Sequence, residues 1–211
     1  MIMNPLFEFL FGQYSEYLPS DIVLEFIAII FGFLSVWYAK KNHILVFPTG
    51  LVSTGIFVYL LFKWELLGDM LINGYYFSMS IYGWHIWTRT LNEHPTPISN
   101  TSKNEKRISF VIFIAALFLV FGIYQSAGKW SNWTAYVDTV TTGVFFVGMW
   151  LMARRKIEHW IFWIVGDVIS VPLYFHKGLT LTSFQYLIFT VIAIFGYLSW
   201  KKTLTNTLVR L

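Results

Sequence analysis

The sequence predicts an all-α membrane protein with seven spanning helices, and three observations carry that prediction. The 211 residues are 56% hydrophobic and 20% aromatic but only 12% charged, about half the charged share of a soluble domain. Seven apolar stretches of near-spanning length are separated by short, mostly basic breaks. Two sets of three such stretches also resemble each other at a nearly constant offset. Ten Trp, twelve Tyr and twenty-one Phe are more apolar surface than a domain of this size hides from water. This composition excludes an ordinary cytosolic enzyme, a disordered chain and a nucleic-acid-binding module, despite the net charge of +4. Without Cys, disulfide scaffolds, thiolate metal sites and Cys nucleophiles are excluded as well.

A spanning helix needs about 20 mostly apolar residues. On that basis the spans fall at 21–38, 43–62, 66–87, 109–124, 136–152, 159–175 and 180–200. The breaks are Lys40-Lys41-Asn42, Lys63-Trp64-Glu65, Arg154-Arg155-Lys156 and His176-Lys177-Gly178. The long polar connection, 89–108, contains Pro95 and Pro97. Residues 1–20 set Phe7, Phe9, Leu10 and Phe11 beside Glu8 and Glu16 with no basic segment before them. They read as an amphipathic segment on the membrane surface rather than a cleaved leader. The expected organisation is a first triplet at 21–88, a loop at 89–108, a linker helix at 109–130, a second triplet at 131–202 and a tail at 203–211. Twelve of the fifteen Lys and Arg lie on one side of this arrangement. The positive-inside rule then puts the N-terminus outside and the C-terminus in the cytoplasm.

The third span ends Tyr82-Gly83-Trp84-His85-Ile86-Trp87 and the seventh Phe195-Gly196-Tyr197-Leu198-Ser199-Trp200, 113 residues later. Ala39-Lys40-Lys41 and Ala153-Arg154-Arg155 end the first and fifth spans 114 apart, and Gly50 and Gly166 lie 116 apart. Helices one to three and five to seven therefore read as copies. With one helix between them the copies are parallel, a 3+1+3 arrangement as in the SWEET architecture, which places a solute site between the repeats near the bilayer midplane.

Polar side chains inside a spanning helix are costly and face a bundle interior or a wet cavity. The third helix carries Asn73, Tyr76, Ser80, Gly83 and Trp87 on one face, and the sixth carries Trp160, Trp163, Asp167, Ser170 and Tyr174 at the same steps. The seventh adds Thr182, Gln185 and Tyr186, the fifth Asp138, Thr141 and Thr142, and the first Glu25. Glu25 and Asp138 read as solvated mouth residues, and Trp160 sits where interfacial Trp is common. Aromatic faces stack on planar rings and attract cations, while amides and a carboxylate bind hydroxyls or balance a positive ring. A cationic heteroaromatic solute fits best. A sugar would want more amides, and an inorganic anion would want a core Arg or Lys, which is absent from these stripes.

Asn73-Gly74-Tyr75-Tyr76, Tyr82-Gly83 and Trp87, then Trp160-x-x-Trp163, Asp167, Leu173-Tyr174 and Lys177-Gly178-Leu179, and finally Tyr186, Gly196 and Trp200 together resemble the Pnu family of bacterial vitamin transporters. The resemblance spans about residues 20–202. It implies transport of nicotinamide riboside across the bacterial inner membrane, with relatives that carry thiamine or riboflavin. It also implies facilitated diffusion made one-way by a cytoplasmic kinase, a homo-oligomer (a trimer), and no cofactor. The family's W-x-x-W motif falls on Trp160 and Trp163, and its Asn-containing third-helix motif on Asn73. The expected solute-binding set is Trp160, Trp163, Asp167, Asn73, Tyr76, Tyr174, Gln185 and Tyr186. Trp163 would stack on the solute's ring, with Asn73, Gln185 and Asp167 binding amide or ribose groups. Gly50, Gly166, Pro48 and Pro172 are points for flexing, or in the glycines' case for close packing.

Other classes lack their chemistry. His43, His85, His94, His159 and His176 fall at helix ends or in loops, and no H-x-x-x-H spacing occurs. A retinal protein needs a Lys in the last span, where 180–200 has none. A proton-driven transporter is the nearer rival, because Asp167 can titrate.

Overall fold

A computed structural model describes residues 17–64, 66–91, 94–95, 97–126, 128, 133–177 and 180–209. The surface segment expected at 1–20 lies, up to residue 16, outside the described residues, as do Glu65, Lys129, Gly178, Leu179 and Arg210. Seven helices follow in order: α1 (Pro19–Lys40), α2 (Val46–Lys63), α3 (Leu67–Thr88), α4 (Lys103–Ser126), α5 (Trp133–Ala153), α6 (His159–His176) and α7 (Thr180–Val209). Between α3 and α4 a short hairpin pairs β1 (Thr90–Leu91) with β2 (His94–Pro95) in antiparallel register. The expected all-helical membrane fold is present. Five helices (α1, α2, α4, α5 and α7) are long and apolar enough to cross a membrane by length and composition alone. The two below that mark are α3 and α6, the helices that carry the polar and aromatic stripes.

Two boundaries differ from the sequence reading. The fourth helix begins at Lys103, inside the expected loop, because Ser102 and Glu105 cap it reciprocally. Glu105 N donates to Ser102 Oγ at 3.3 Å and Ser102 N to Glu105 Oε2 at 2.9 Å. α7 runs on to Val209 as a polar extension beyond the apolar stretch. Elsewhere the starts follow local chemistry, as where Pro19 fills the first turn of α1 with Asp21 behind it.

α1 packs on α2, α2 on α3, α3 on α5, α5 on α6, α6 on α7, and α7 back on α1, so six helices close a ring. α4 packs on α5 outside that ring. Two seams join the halves, α1/α7 and α3/α5. At the end carrying the basic breaks, Trp200 Nε1 donates to Ala39 O at 2.8 Å and Trp87 Nε1 to Met152 O at 3.3 Å. Donors and acceptors in these two bonds are each related by an offset of 113. The same offset relates the edge-to-face pairs Phe47–Trp87 and Trp160–Trp200, at 5.0 Å and 5.9 Å between centroids. It also relates Phe33–Phe189 across one seam to Tyr76–Phe146 across the other, at 4.9 Å and 6.0 Å. The α1–α2 and α5–α6 turns each place one non-Gly residue in the left-handed region, Asn42 (φ 53°) and Arg155 (φ 60°), again 113 apart. Arg155 Nε donates to Asn42 Oδ1 at 3.0 Å, joining the two turns. The register is thus a uniform 113: Ala39 corresponds to Met152 rather than Ala153, and Gly50 to Trp163 rather than Gly166.

The opposite end is pinned by ion pairs. Lys63 meets Asp21 at 2.7 Å, tying α2 to α1. Lys177 pairs with Asp138, tying α6 to α5, and Tyr124 of α4 donates to the same carboxylate at 2.8 Å. At the basic end the loop before α4 docks on the α5–α6 turn. Glu105 binds Arg154 at 3.0 Å and Lys156 at 3.1 Å, Ile157 N donates to Ser99 O at 3.1 Å, and Ile98 joins the core beneath Trp87.

Aromatic packing at the basic end depends on two bare glycines. A Cβ at Gly196 would stand 2.5 Å from the Trp160 ring, and one at the equivalent Gly83 would strike Phe47 and meet the Ala153 backbone at 3.1 Å. Overpacking of this kind costs about 1–3 kcal/mol. Gly83→Ala and Gly196→Ala each lower the unfolding temperature of the detergent-solubilised protein, and Gly74→Ala, at a position with nothing within 4 Å, does not. Thermal unfolding followed by intrinsic fluorescence checks all three.

Candidate functional site

The α6 face that begins with the W-x-x-W pair leads from packed core into the ring. Trp160 is fully buried, wedged over Gly196 and edge-on to Trp200 and Trp163, the latter at 5.4 Å. Its Nε1 has no hydrogen-bond partner among the described residues. Trp163, one turn on and half-buried, lies over α5, where a Cβ at Gly148 would come within 2.5 Å of its indole. Gly148 is therefore what seats Trp163. Gly166 likewise seats Phe145, whose ring would meet a Cβ there at 2.6 Å. Gly50 leaves room for the Ser35 and Ser80 hydroxyls, at 3.1 Å and 3.2 Å from a Cβ. Both glycines named as flexing points thus lie at close contacts.

Further along α6, Asp167 is 4% exposed, and among the described residues no hydrogen bond or ion pair reaches its carboxylate. Ser170 Oγ, one turn beyond, is buried and equally without a partner. Three tyrosines converge on this stretch from three helices. Tyr174 of α6 stacks on Tyr186 of α7 at 5.0 Å, and Phe145 of α5 also stacks with Tyr186 at 6.0 Å. Tyr76 of α3 lies within electrostatic range of Asp167 and Tyr174, and Tyr186 within range of Tyr76, Tyr174 and Asp167. Helices on opposite arcs of the ring can meet in this way only through its interior. Tyr75 closes the wall beside them, stacked on Phe146 at 4.0 Å with its hydroxyl donating to Phe146 O at 2.9 Å.

Of the eight residues expected in the site, Asp167, Tyr76, Tyr174 and Tyr186 form this cluster, and Trp163 borders it. Trp160 lies deeper in the aromatic plug. Asn73 turns its amide onto its own helix, donating to Asp69 O at 3.0 Å. Gln185 is half-buried one residue before Tyr186. Asp138, read as a mouth residue, carries the Lys177 ion pair. Sequence reasoning missed three neighbours. Phe145 and Phe146 looked like ordinary apolar filler. His159, at a helix start, is completely buried, with its Nδ1 at 2.7 Å from Lys156 O and its ring 5.1 Å from that of Trp163. The 113-residue register would have exposed Phe146, since it is the counterpart of Phe33.

A buried carboxylate among aromatic side chains, within a bundle of long apolar helices, marks a multi-pass membrane protein. Residues 22–202 match the family described as nicotinamide mononucleotide transporter, and the chain belongs to it. It is 24% identical over 201 residues to the nicotinamide riboside transporter PnuC of Escherichia coli (strain K12), covering 84% of each chain. It is 23% identical over 178 residues to the riboflavin/roseoflavin transporter RibM of Streptomyces davaonensis, covering 81% of each. The crystal structure of the vitamin B3 transporter PnuC shares the fold, with a TM-score of 0.66 at 21% identity over 95% of this chain and 90% of that one.

An unpartnered buried carboxylate costs stability. Asp167→Asn, isosteric and uncharged, raises the unfolding temperature of the solute-free protein by a few degrees. A lower temperature would mean that the carboxylate is held by a stabilising partner. Differential scanning fluorimetry in detergent decides between the two.

Proposed function

We propose that this chain carries nicotinamide riboside across the bacterial inner membrane. The observation that carries the reading is the Asp167 cluster: a carboxylate with no partner among the described residues, gathered with Tyr76, Tyr174 and Tyr186, with Trp163 one turn earlier on α6. The pyridinium of nicotinamide riboside supplies what that cluster lacks, a flat cation. Trp163 stacks on its ring and Asp167 balances its charge or accepts ribose hydroxyls. Asn73 and Gln185 bind the carboxamide or the sugar once their amides turn inward, and Trp160 forms the floor. The names of the PnuC relatives support this choice of solute.

Transport proceeds by alternating access. The α1–α3 and α5–α7 triplets act as parallel copies of a 3+1+3 fold and rock against each other about the α1/α7 and α3/α5 seams. The Lys and Arg distribution supports a cytoplasmic basic end, with the aromatic plug as the cytoplasmic gate. Movement is facilitated diffusion, drawn inward by phosphorylation of the solute, in a protein that assembles as a homo-oligomer, a trimer by resemblance.

Calorimetry of the purified protein against nicotinamide riboside, thiamine and riboflavin tests the solute. Nicotinamide riboside binds tightest, and Trp163→Ala and Asp167→Asn each weaken it by roughly tenfold or more, the scale of a lost cation–π or charged hydrogen-bond contact. Unchanged affinity in both variants removes the site, and tighter binding of either other vitamin removes the solute. Uptake into kinase-free proteoliposomes persists with an uncoupler present. Its collapse would make the carrier proton-driven.

A further inference from the structure

We infer that the basic end of the α1/α7 seam binds the headgroup of an anionic phospholipid. The argument rests on the difference between two seams that the 113-residue register makes comparable.

At the α3/α5 seam one cation is fully provided for. The Arg154 guanidinium lies 5.9 Å from the Trp150 ring, donates to the Tyr82 hydroxyl at 3.1 Å, and meets the Glu105 carboxylate at 3.0 Å. That carboxylate comes from α4, the helix outside the ring. At the α1/α7 seam the counterparts are Lys41, Trp37 and Phe195. Lys41 Nζ stands 5.2 Å from the Trp37 ring, and Lys40 Nζ stands 4.5 Å from the same ring and 5.3 Å from Phe195. Two ammonium groups thus share one indole, where the other seam holds one guanidinium. Lys201, 5.9 Å from Tyr197, and Lys202 follow on α7 and are exposed.

Among the described residues no helix corresponding to α4 stands at this seam, and no carboxylate pairs with any of these four lysines. The sequence offers little locally: no Asp or Glu follows Asp167. Like charges gathered at the membrane–water boundary attract an anion, and the surroundings say where it comes from. Trp37 and Phe195 are 42% and 54% exposed, an aromatic pair at the end of two membrane-spanning helices with lysines just beyond. That is the layout of an interfacial belt, with acyl chains against the rings and a phosphate at the ammonium groups. The lipid phosphate takes the place that Glu105 fills at the other seam, and it bridges α1 to α7 as Glu105 bridges α4 to α5.

The test is a thermal-shift titration of the full-length protein in uncharged detergent, with phosphatidylglycerol, phosphatidylcholine or inorganic phosphate added. Phosphatidylglycerol raises the unfolding temperature saturably and the other two do not. In Lys40→Gln/Lys41→Gln the midpoint moves about tenfold or more to higher lipid, on the scale expected for two interfacial lysines. Lys40→Arg/Lys41→Arg and the control Lys103→Gln/Lys106→Gln, at the same end but away from the seam, keep the parental midpoint. A parental midpoint in the double Gln variant overturns the inference. So does an equal response to phosphatidylcholine, which would make the effect acyl-chain packing alone, or reproduction of the shift by inorganic phosphate, which would make the site a simple anion site.

Discussion

Two indole N–H groups hold this fold in register. Trp200 and Trp87 end their helices by donating to carbonyls at the ends of α1 and α5, Ala39 O and Met152 O. The last carbonyls of a helix have no intrahelical donor, and in a membrane protein leaving one unmet is expensive. Here Asn42 N and Arg155 N each meet one of these carbonyls at 2.9 Å, and each Trp indole adds a second donor from the opposite triplet, which draws the two halves together at one end. The left-handed residues Asn42 and Arg155 turn the chain sharply enough to present those carbonyls. Their mutual hydrogen bond, with the Arg155 guanidinium 4.4 Å over Trp87, locks the turns to the same aromatic layer.

The rest of the ring follows from that closure. With one end filled by Phe47, Trp87, Trp160 and Trp200, two polar side chains farther along α6 are enclosed with no partner among the described residues. Ser170 and Asp167 are the result, and the tyrosines of α3, α6 and α7 close around them. At the opposite end the ion pairs among the described residues each tie two helices within one triplet (Asp21 to Lys63, Asp138 to Lys177). Hydrogen bonds join the halves at the basic end, and salt bridges stiffen each half at the other. α4 stands outside this symmetry and braces one triplet only, through Tyr124 at one end and Glu105 at the other.

Much of this was legible in the chain, because the membrane makes hydropathy a strict guide. The spans, the short turns and the existence of a repeat all follow from where Lys, Arg and Asn interrupt apolar runs. The start of α4 was not legible by that measure, since its first turn is Lys103-Asn104-Glu105-Lys106, which reads as loop until the Ser102 cap is noticed. The polar extension of α7 escaped for the same reason. The repeat was visible, but its register was blurred by matching glycine to glycine. At the offset of 113 Gly50 falls opposite Trp163, so the two halves differ at this point of the candidate site. In the site, Asp167 and the tyrosines announced themselves by polarity at helical spacing. Phe145, Phe146 and His159 did not, because their roles depend on which bare glycine or neighbouring ring they meet across helices.

The central claim is that the α1/α7 and α3/α5 seams must part for solute to pass. Phe33 and Phe189 face each other across one seam at 4.9 Å, and the chain has no native Cys, so a Phe33→Cys/Phe189→Cys pair can be joined by a short, reducible thiol crosslinker. In proteoliposomes the joined protein loses nicotinamide riboside uptake and regains it on reduction. Full uptake by the joined protein would contradict the account.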